Sequence, residues 1–156
     1  MSDLEELYRE ILLDHYRSPR NAGHVPGATH SADGANPLCG DEVHLELTLD
    51  GDGRIAGIAF SGHGCSISQA SSSLMTEYVK GRDADAALAA VGDFQRMMIE
   101  GDPPPAADFG DLEALAGVAK FPVRVKCASL AWKTLEQALA DKRGASAAVT
   151  TDERSL

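Results

Sequence analysis

The chain has 156 residues, 44% of them hydrophobic and 24% charged, and 24 acidic against 14 basic residues give it a formal charge of −10. This balance argues against nucleic acid as a ligand, because such binding rests on clustered Lys and Arg, and no apolar run approaches the ~20 residues that a membrane span needs. The first residues lack the basic segment and apolar core of a secretion signal, so we expect the protein to work in the cytoplasm, without a membrane partner. The length of the chain predicts one main domain.

The first predicted element is an amphipathic helix over residues 3–16. Ser2 and Glu5 have the spacing of a capping box, and apolar residues then recur at helical intervals. Residues 18–37 are predicted to form a loop, because Pro and Gly recur too often for an uninterrupted element. Within this loop, residues 28–32 could still pair as a short edge strand.

A hairpin is predicted next. Residues 42–49 alternate between polar and apolar side chains, the turn residues Asp and Gly follow at 50–53, and apolar residues return over 55–60. The alternation indicates strands that are buried on one face only. Together with the edge strand, the hairpin makes a sheet of about three antiparallel strands.

Helices dominate the rest of the chain. They are predicted over 66–80 behind a Ser66 cap, from an Asp83 cap to Val91, over 94–99, over 112–118, and from Cys127 to about 143, with 121–125 extended. The sequence thus predicts an α+β fold, a small antiparallel sheet packed with about five to six helices. We expect the domain to span residues 1–143 and residues 144–156 to form a disordered C-terminal tail.

The three cysteines, Cys39, Cys65 and Cys127, are the candidates for chemistry. An odd number in a chain without a secretion signal argues against a disulfide framework, which leaves buried apolar residues, reactive thiols or metal ligands. Cys39 and Asp41 flank Gly40, whose backbone freedom can aim both side chains at one point. Cys65 and Cys127 are predicted at helix N-termini, which favour the thiolate.

Zinc prefers four tetrahedral ligands drawn from Cys, His and carboxylates, and the three cysteines with Asp41 supply such a set. Their spacing is weak evidence, because 25 residues separate the first two cysteines and 61 the last two. Arg124 and Lys126, on one side of an extended segment, would offset the remaining negative charge. His63 is the alternative to Asp41 as a ligand, and the serines at 71–73 show no His or Asp partner that would activate them.

Four motifs resemble the SufU branch of the NifU/IscU superfamily. They are DHYRSPRN at 14–21, NPLCGD at 36–41, GCSIS at 64–68 and KFPVRVKCASLAW at 120–132. The likeness runs in order from about Leu4 to Ala140. Lys126 occupies a position where scaffold-type members carry His, and residues 94–117 resemble the insertion of SufU-type members.

The resemblance implies an IscU/SufU-like fold and a zinc-dependent sulfurtransferase. The implied zinc ligands are Cys39, Asp41, Cys65 and Cys127. Cys39 is the implied acceptor of persulfide sulfur, and Arg124 is expected to assist catalysis by steadying the thiolates or by touching the partner. The implied partners are a SufS-type, pyridoxal-phosphate-dependent cysteine desulfurase, for which this chain is co-substrate and activator, and downstream proteins of iron–sulfur cluster assembly.

Two other functions use the same residues. The first is an assembly scaffold that holds a [2Fe–2S] cluster on these cysteines. The second is a structural zinc domain, whose closed four-ligand site serves stability alone. Metal content separates the carrier from the scaffold, and loss of Cys39 separates the carrier from the structural domain.

Overall fold

A computed structural model describes residues 3–104, 108–140 and 146–150. The helices are α1 (Asp3–Arg17), α2 (Ser66–Val79), α3 (Ala84–Glu100), a 3₁₀ helix (Gly110–Lys120) and α4 (Pro122–Ala140). The strands are β1 (His30–Asn36), β2 (Asp41–Leu49), β3 (Ile55–His63) and β4 (Ser146–Thr150). The predicted α+β class is confirmed. Of the helices in these residues, none is long and apolar enough to cross a membrane.

The sheet has the strand order β3-β2-β1-β4. The predicted hairpin is confirmed, since β2 and β3 pair antiparallel around the turn at 50–53. β1 pairs antiparallel with β2, in register from His30 opposite Leu47 to Asn36 opposite Asp41. It begins two residues later than the predicted start at residue 28 and ends beside the first cysteine.

One face of the sheet packs on the helices, and α4 is the central helix of that layer. Leu45 and Leu47 of β2 are fully buried, whereas Glu46 between them is only partly buried. Trp132 of α4 is also fully buried. Its ring stacks on Phe94 of α3 with centroids 4.5 Å apart, and its Nε1 donates to Ser71 Oγ of α2 at 3.1 Å. α4 thus holds two other helices in place.

α3 runs without a break where the sequence predicts two shorter helices divided after Val91. Its predicted cap is confirmed, because Asp83 Oδ1 accepts the Ala86 N–H at 2.7 Å. Gly92, a helix-weakening residue that costs about 1 kcal/mol relative to Ala, lies inside the helix. Burial of Val91 and Phe94 on either side outweighs that cost.

The prediction of an extended segment over 121–125 is wrong, because α4 already begins at Pro122. Proline suits the first helical position, where its fixed φ is that of a helix and its missing N–H would have no partner. The Phe121 carbonyl accepts the N–H groups of Arg124 and Val125 at 2.8 and 3.0 Å. The alternating Val-Arg-Val pattern is typical of a strand, but the proline before it favours the start of a helix.

The sequence predicts a disordered tail over 144–156, and the structure differs at Ser146–Thr150, which form β4 parallel to β1. Without β4, the outer edge of β1 would carry unpaired backbone groups, and a short strand of small and β-branched residues satisfies them. Residues 141–145 and 151–156 lie outside the described residues. The domain boundary at 143 therefore stays a prediction.

Candidate metal centre

Cys39 and Asp41 lie where β1 turns into β2. Asn36 and Asp41 are the last paired residues of the ladder, and the Cys39 N–H donates to the Asn36 carbonyl at 3.3 Å within the turn. Gly40 has a φ of 70°, in the left-handed region that favours glycine, so its predicted role is confirmed. Cys39 is half-buried and Asp41 fully buried. The turn thus presents a thiol near the surface and holds a carboxylate inside.

Cys65 is the N-cap of α2. Its Sγ accepts the Ser68 N–H at 3.5 Å, and its own N–H donates to Asp41 Oδ1 at 2.8 Å. The sequence predicts the helix start but assigns the cap to Ser66. The cap lies one residue earlier because the Cys65 backbone is extended, with φ −70° and ψ 171°, as an N-cap requires.

The sequence predicts that Cys127 opens the last helix. In the structure it lies instead in the second turn of α4. It is fully buried, its Sγ is 3.3 Å from Cys39 Sγ, and Asn36 Nδ2 donates to it at 3.7 Å. Burial raises the pKa of the Cys127 thiol well above its ordinary value, and Cys39, Asp41 and Cys65 raise it further. A nearby cation, not the helix start, would therefore favour its thiolate.

The predicted ligands converge at one end of the sheet. The ligand atoms of Cys39, Asp41 and Cys127 all lie within 4.8 Å of one another. Among the described residues, this is the group of three or more potential metal ligands that meets this distance limit. Cys65 stands beside them, hydrogen-bonded to Asp41 and near enough to affect the pKa of Cys127. We call these four side chains the thiol cluster.

The thiol cluster suits a divalent metal. Among the described residues, Asp41 Oδ2 is buried and accepts no hydrogen bond, and neither does the buried Asn36 Oδ1 beside the cluster. Burying a carboxylate oxygen without a hydrogen-bond partner costs free energy. A metal ion bound by these thiols and this carboxylate would supply the missing partner. Thiolates with one carboxylate suit zinc, and thiolates also suit iron–sulfur clusters.

Arg124 and His63 lie outside the thiol cluster. Arg124 is exposed at the start of α4 and lines a groove of about 660 Å³ between α1 and the 3₁₀ helix. In the described part of the chain its side chain makes no hydrogen bond or ion pair. Lys126 does not share its side, because residues two apart in a helix point in different directions. His63 is 70% exposed and pairs with Glu42 at 2.8 Å, so Asp41 is the better placed ligand.

The sequence alone does not reveal two groups of polar contacts. It gave Asn36 no role, although this side chain touches Cys127. It found no partner for Ser73, whose Oγ lies 2.7 Å from His15 Nδ1 and accepts the Arg20 N–H at 2.8 Å. Residues 58 positions apart give no local signal of such a contact. These bonds tie α1 and the segment after it to α2, whose first residues follow Cys65.

The fold and the site define a class of protein, a small α+β domain with three cysteines and an aspartate gathered at one end of its sheet. The model of the family described as the NifU-like N-terminal domain matches residues 7–128, and the chain belongs to that family.

Two relatives and one solved structure show which members of this family the chain resembles. The zinc-dependent sulfurtransferase SufU of Bacillus subtilis (strain 168) is 46% identical over 143 residues, 92% of this chain and 96% of the relative. The iron–sulfur cluster assembly scaffold protein IscU of Streptococcus pyogenes serotype M1 is 42% identical over 153 residues, 98% and 94% of the two chains. A crystal structure of a proposed cluster assembly scaffold protein for the SUF system, FiSufU of Fervidobacterium islandicum AW-1, superimposes with a TM-score of 0.78 at 35% identity, covering 86% and 98%. The resemblance to the SufU type is confirmed.

Proposed function

We propose that this chain is a zinc-dependent sulfurtransferase that serves iron–sulfur cluster assembly in the cytoplasm. Its similarity to the B. subtilis protein of that name supports the class of reaction. The observation that carries the proposal is the convergence of Cys39, Asp41 and Cys127 at one point, with an Asp41 oxygen that has no hydrogen-bond partner among the described residues.

The residues that would hold zinc are Cys39, Asp41, Cys65 and Cys127. Bound zinc would keep the thiols deprotonated near neutral pH, including the buried Cys127. Asp41 is oriented for this role by the Cys65 N–H, which occupies Oδ1 and leaves Oδ2 free. Asn36 Nδ2 donates a hydrogen bond to the Cys127 sulfur and so supports it.

Cys39 is the sulfur acceptor in this proposal. It is half-buried beside Leu38, which is 58% exposed, whereas Cys127 is fully buried. The Cys39 thiolate attacks the terminal sulfur of a donor persulfide, the S–S bond of the donor breaks, and the donor cysteine leaves as a thiolate. A new S–S bond on Cys39 holds the transferred sulfur, and the exchange requires no external oxidant.

The proposed donor is a SufS-type cysteine desulfurase, a pyridoxal-phosphate enzyme for which this chain acts as co-substrate and activator. The acceptors downstream are proteins of cluster assembly. The names of the B. subtilis and S. pyogenes relatives support this pathway, in which cluster assembly requires a source of sulfur.

Arg124 is proposed to assist the transfer from the rim of the site. It lies one helical turn before Cys127, and no side chain in the described part of the chain pairs with its charge. A free guanidinium there can bind a carboxylate of the donor or attract the approaching persulfide anion. Arg124→Ala should slow sulfur transfer, and Arg124→Lys should restore part of the rate if charge alone matters. Equal rates in all three proteins would remove Arg124 from the mechanism.

Replacing Cys39 with Ala tests the carrier function. We expect the variant to remain folded by circular dichroism and to lose its stimulation of the desulfurase, measured as alanine release. His63→Ala is the matched control, because His63 is near the site in sequence but outside the thiol cluster. Full stimulation by Cys39→Ala would reduce the site to a structural zinc centre.

The alternative is a scaffold for a [2Fe–2S] cluster on the same cysteines, favoured by the similarity to the S. pyogenes scaffold protein. Metal analysis and visible absorption of freshly purified protein separate the two. We expect close to one zinc per chain and no visible chromophore. Brown protein that contains iron would overturn the carrier proposal in favour of the scaffold.

A further inference from the structure

A second group of potential metal ligands lies on the sheet face opposite the helices. His44 and Glu46 alternate with buried residues of β2 and so share this face. His44 Nδ1 is 2.6 Å from Asp33 Oδ1 of β1, and His44 Nε2 is 2.9 Å from Glu46 Oε2. His24, in the loop before β1, places its Nδ1 3.3 Å from the same Glu46 oxygen. Two imidazoles therefore converge on one carboxylate oxygen.

The Asp33 contact determines which atom of His44 faces Glu46. A carboxylate at 2.6 Å from Nδ1 holds the ring proton there, which leaves the Nε2 lone pair pointing at Glu46 Oε2. Two lone pairs 2.9 Å apart repel unless a proton or a metal ion lies between them.

We propose that His24, His44 and Glu46 bind a second divalent transition-metal ion, for which zinc is the natural candidate. Imidazole and carboxylate are both good zinc ligands, and tetrahedral zinc separates its ligand atoms by about 3.4 Å. The separations of Glu46 Oε2 from His44 and His24 are 2.9 and 3.3 Å. Asp33 is a positioning residue, because a carboxylate on the far nitrogen of a ligating histidine fixes its tautomer and orientation.

His24 completes the site by turning inward. Its side chain is 70% exposed, so rotation meets little resistance. Some rotation is required, because the three ligand atoms are not yet all within 4.8 Å of one another. The loop is already fixed beside them, since the Val25 N–H donates to Glu46 Oε1 at 2.9 Å. Bound zinc would thus tie this loop to β2.

Calorimetric titration of Zn²⁺ tests the site. Purified protein is first brought to one equivalent of zinc, so that the thiol cluster is filled, and further Zn²⁺ is then added. We expect one additional equivalent to bind to the wild type and none to His44→Ala or to Glu46→Gln. Asp33→Asn should bind the ion about 10- to 100-fold more weakly.

The matched control is His63→Ala. His63 pairs with a single carboxylate, Glu42, so its loss should leave the additional equivalent intact. The proposal is overturned if the wild type takes up no further zinc, or if His44→Ala and His63→Ala take it up equally. Neither result affects the proposed sulfur transfer, because no residue of this site belongs to the thiol cluster.

Discussion

Gly64 shows how closely the backbone approaches the carboxylate of the thiol cluster. A Cβ at this position would lie 2.7 Å from Asp41 Oδ1 and 3.1 Å from Ser68 Oγ. Asp41 Oδ1 is the atom that accepts the Cys65 N–H at 2.8 Å. Any side chain at position 64 therefore competes with the hydrogen bond that orients the carboxylate towards the thiols.

We expect Gly64→Ala to weaken zinc binding by about tenfold or more, the usual cost of disturbing a group that orients a metal ligand. Competition with a chromophoric zinc chelator measures the effect. Gly57→Ala is the control, because its Cβ would meet only Val25 Cγ1, at an ordinary 3.5 Å. Equal zinc affinities in the two variants would show that the Asp41 orientation does not matter.

Single residues of the site were predictable to different degrees. The motif match indicated Cys39 and Asp41, and the glycine between them explained how one turn could present both. The pairing of Asn36 with Cys127 was not predictable, because the two residues are 91 positions apart and only the packing of α4 on β1 joins them. A short motif shows which chemistry is present, and the tertiary fold decides which neutral side chains support it.

At the scale of elements, α1 and α2 are joined by a buried polar contact. His15 is 2% exposed, and its Nδ1 lies 2.7 Å from Ser73 Oγ. Burial lowers the pKa of His15 below its ordinary 6.5, and the neighbouring Arg20 lowers it further. His15 is therefore neutral in the folded protein at pH 7.

This lowered pKa predicts a loss of stability in mild acid. Above pH 6.5 the His15 ring is neutral in both states. As the pH falls through 6.5, the unfolded chain takes up the proton first, so the free energy of unfolding decreases until the pH reaches the lower pKa of the folded state. Urea denaturation at pH 7.5 and 5.5 should show a smaller decrease for His15→Gln than for the wild type. An identical decrease would assign the acid sensitivity to other groups.

β1 and α4 meet with no spare space at Gly34. A Cβ there would collide with Thr134 Oγ1 and lie 3.0 Å from Leu130 Cδ1. Thr134 cannot easily move, because its hydroxyl donates to the Leu130 carbonyl at 2.8 Å. The close approach of strand and helix brings the Cys39 turn to Cys127.

Gly34→Ala should destabilise the protein by about 1–3 kcal/mol, the typical cost of overpacking a core. Urea denaturation measures the change, with Gly57→Ala again as the control because its Cβ has room. We expect Gly34→Ala to lower the free energy of unfolding but to leave the zinc affinity of the folded molecules unchanged. This outcome would distinguish Gly34→Ala from Gly64→Ala, which is expected to weaken zinc binding. Wild-type stability of Gly34→Ala would contradict the tight packing.

The elements with strong local signals were predicted correctly, and the errors lie where packing or pairing in the tertiary structure decides the outcome. The helix α1 and the alternating hairpin follow from periodicity alone. α3 is one helix instead of the two predicted, because burial around Gly92 outweighs the low helix propensity of glycine. α4 starts earlier than predicted, because Pro122 starts a helix in a segment whose β-branched residues suggest a strand. β4 has weak local signals and depends on the free edge of β1.

Over the whole molecule, the thiol cluster joins segments that are distant in the chain. Its members come from the β1–β2 turn, the N-cap of α2 and the second turn of α4. Without a cation, a buried oxygen of Asp41 lies among the cysteines with no hydrogen-bond partner in the described part of the chain, which opposes folding. A bound metal reverses this effect, so its binding free energy adds to the stability of the fold.

Removal of zinc with a chelator should therefore lower the melting temperature, by about 2–4 °C for each kcal/mol of binding free energy lost. Scanning calorimetry before and after chelation, and after zinc is restored, measures the shift. Cys127→Ser is the control, because loss of the most buried thiol should empty the thiol cluster beforehand and leave no zinc in it for the chelator to remove. If the chelator lowers the melting temperature of Cys127→Ser as much as that of the wild type, its effect does not come from this site. If it leaves the wild type unchanged, the cluster is stable without metal, and the unpaired Asp41 oxygen must be accommodated by the protein alone.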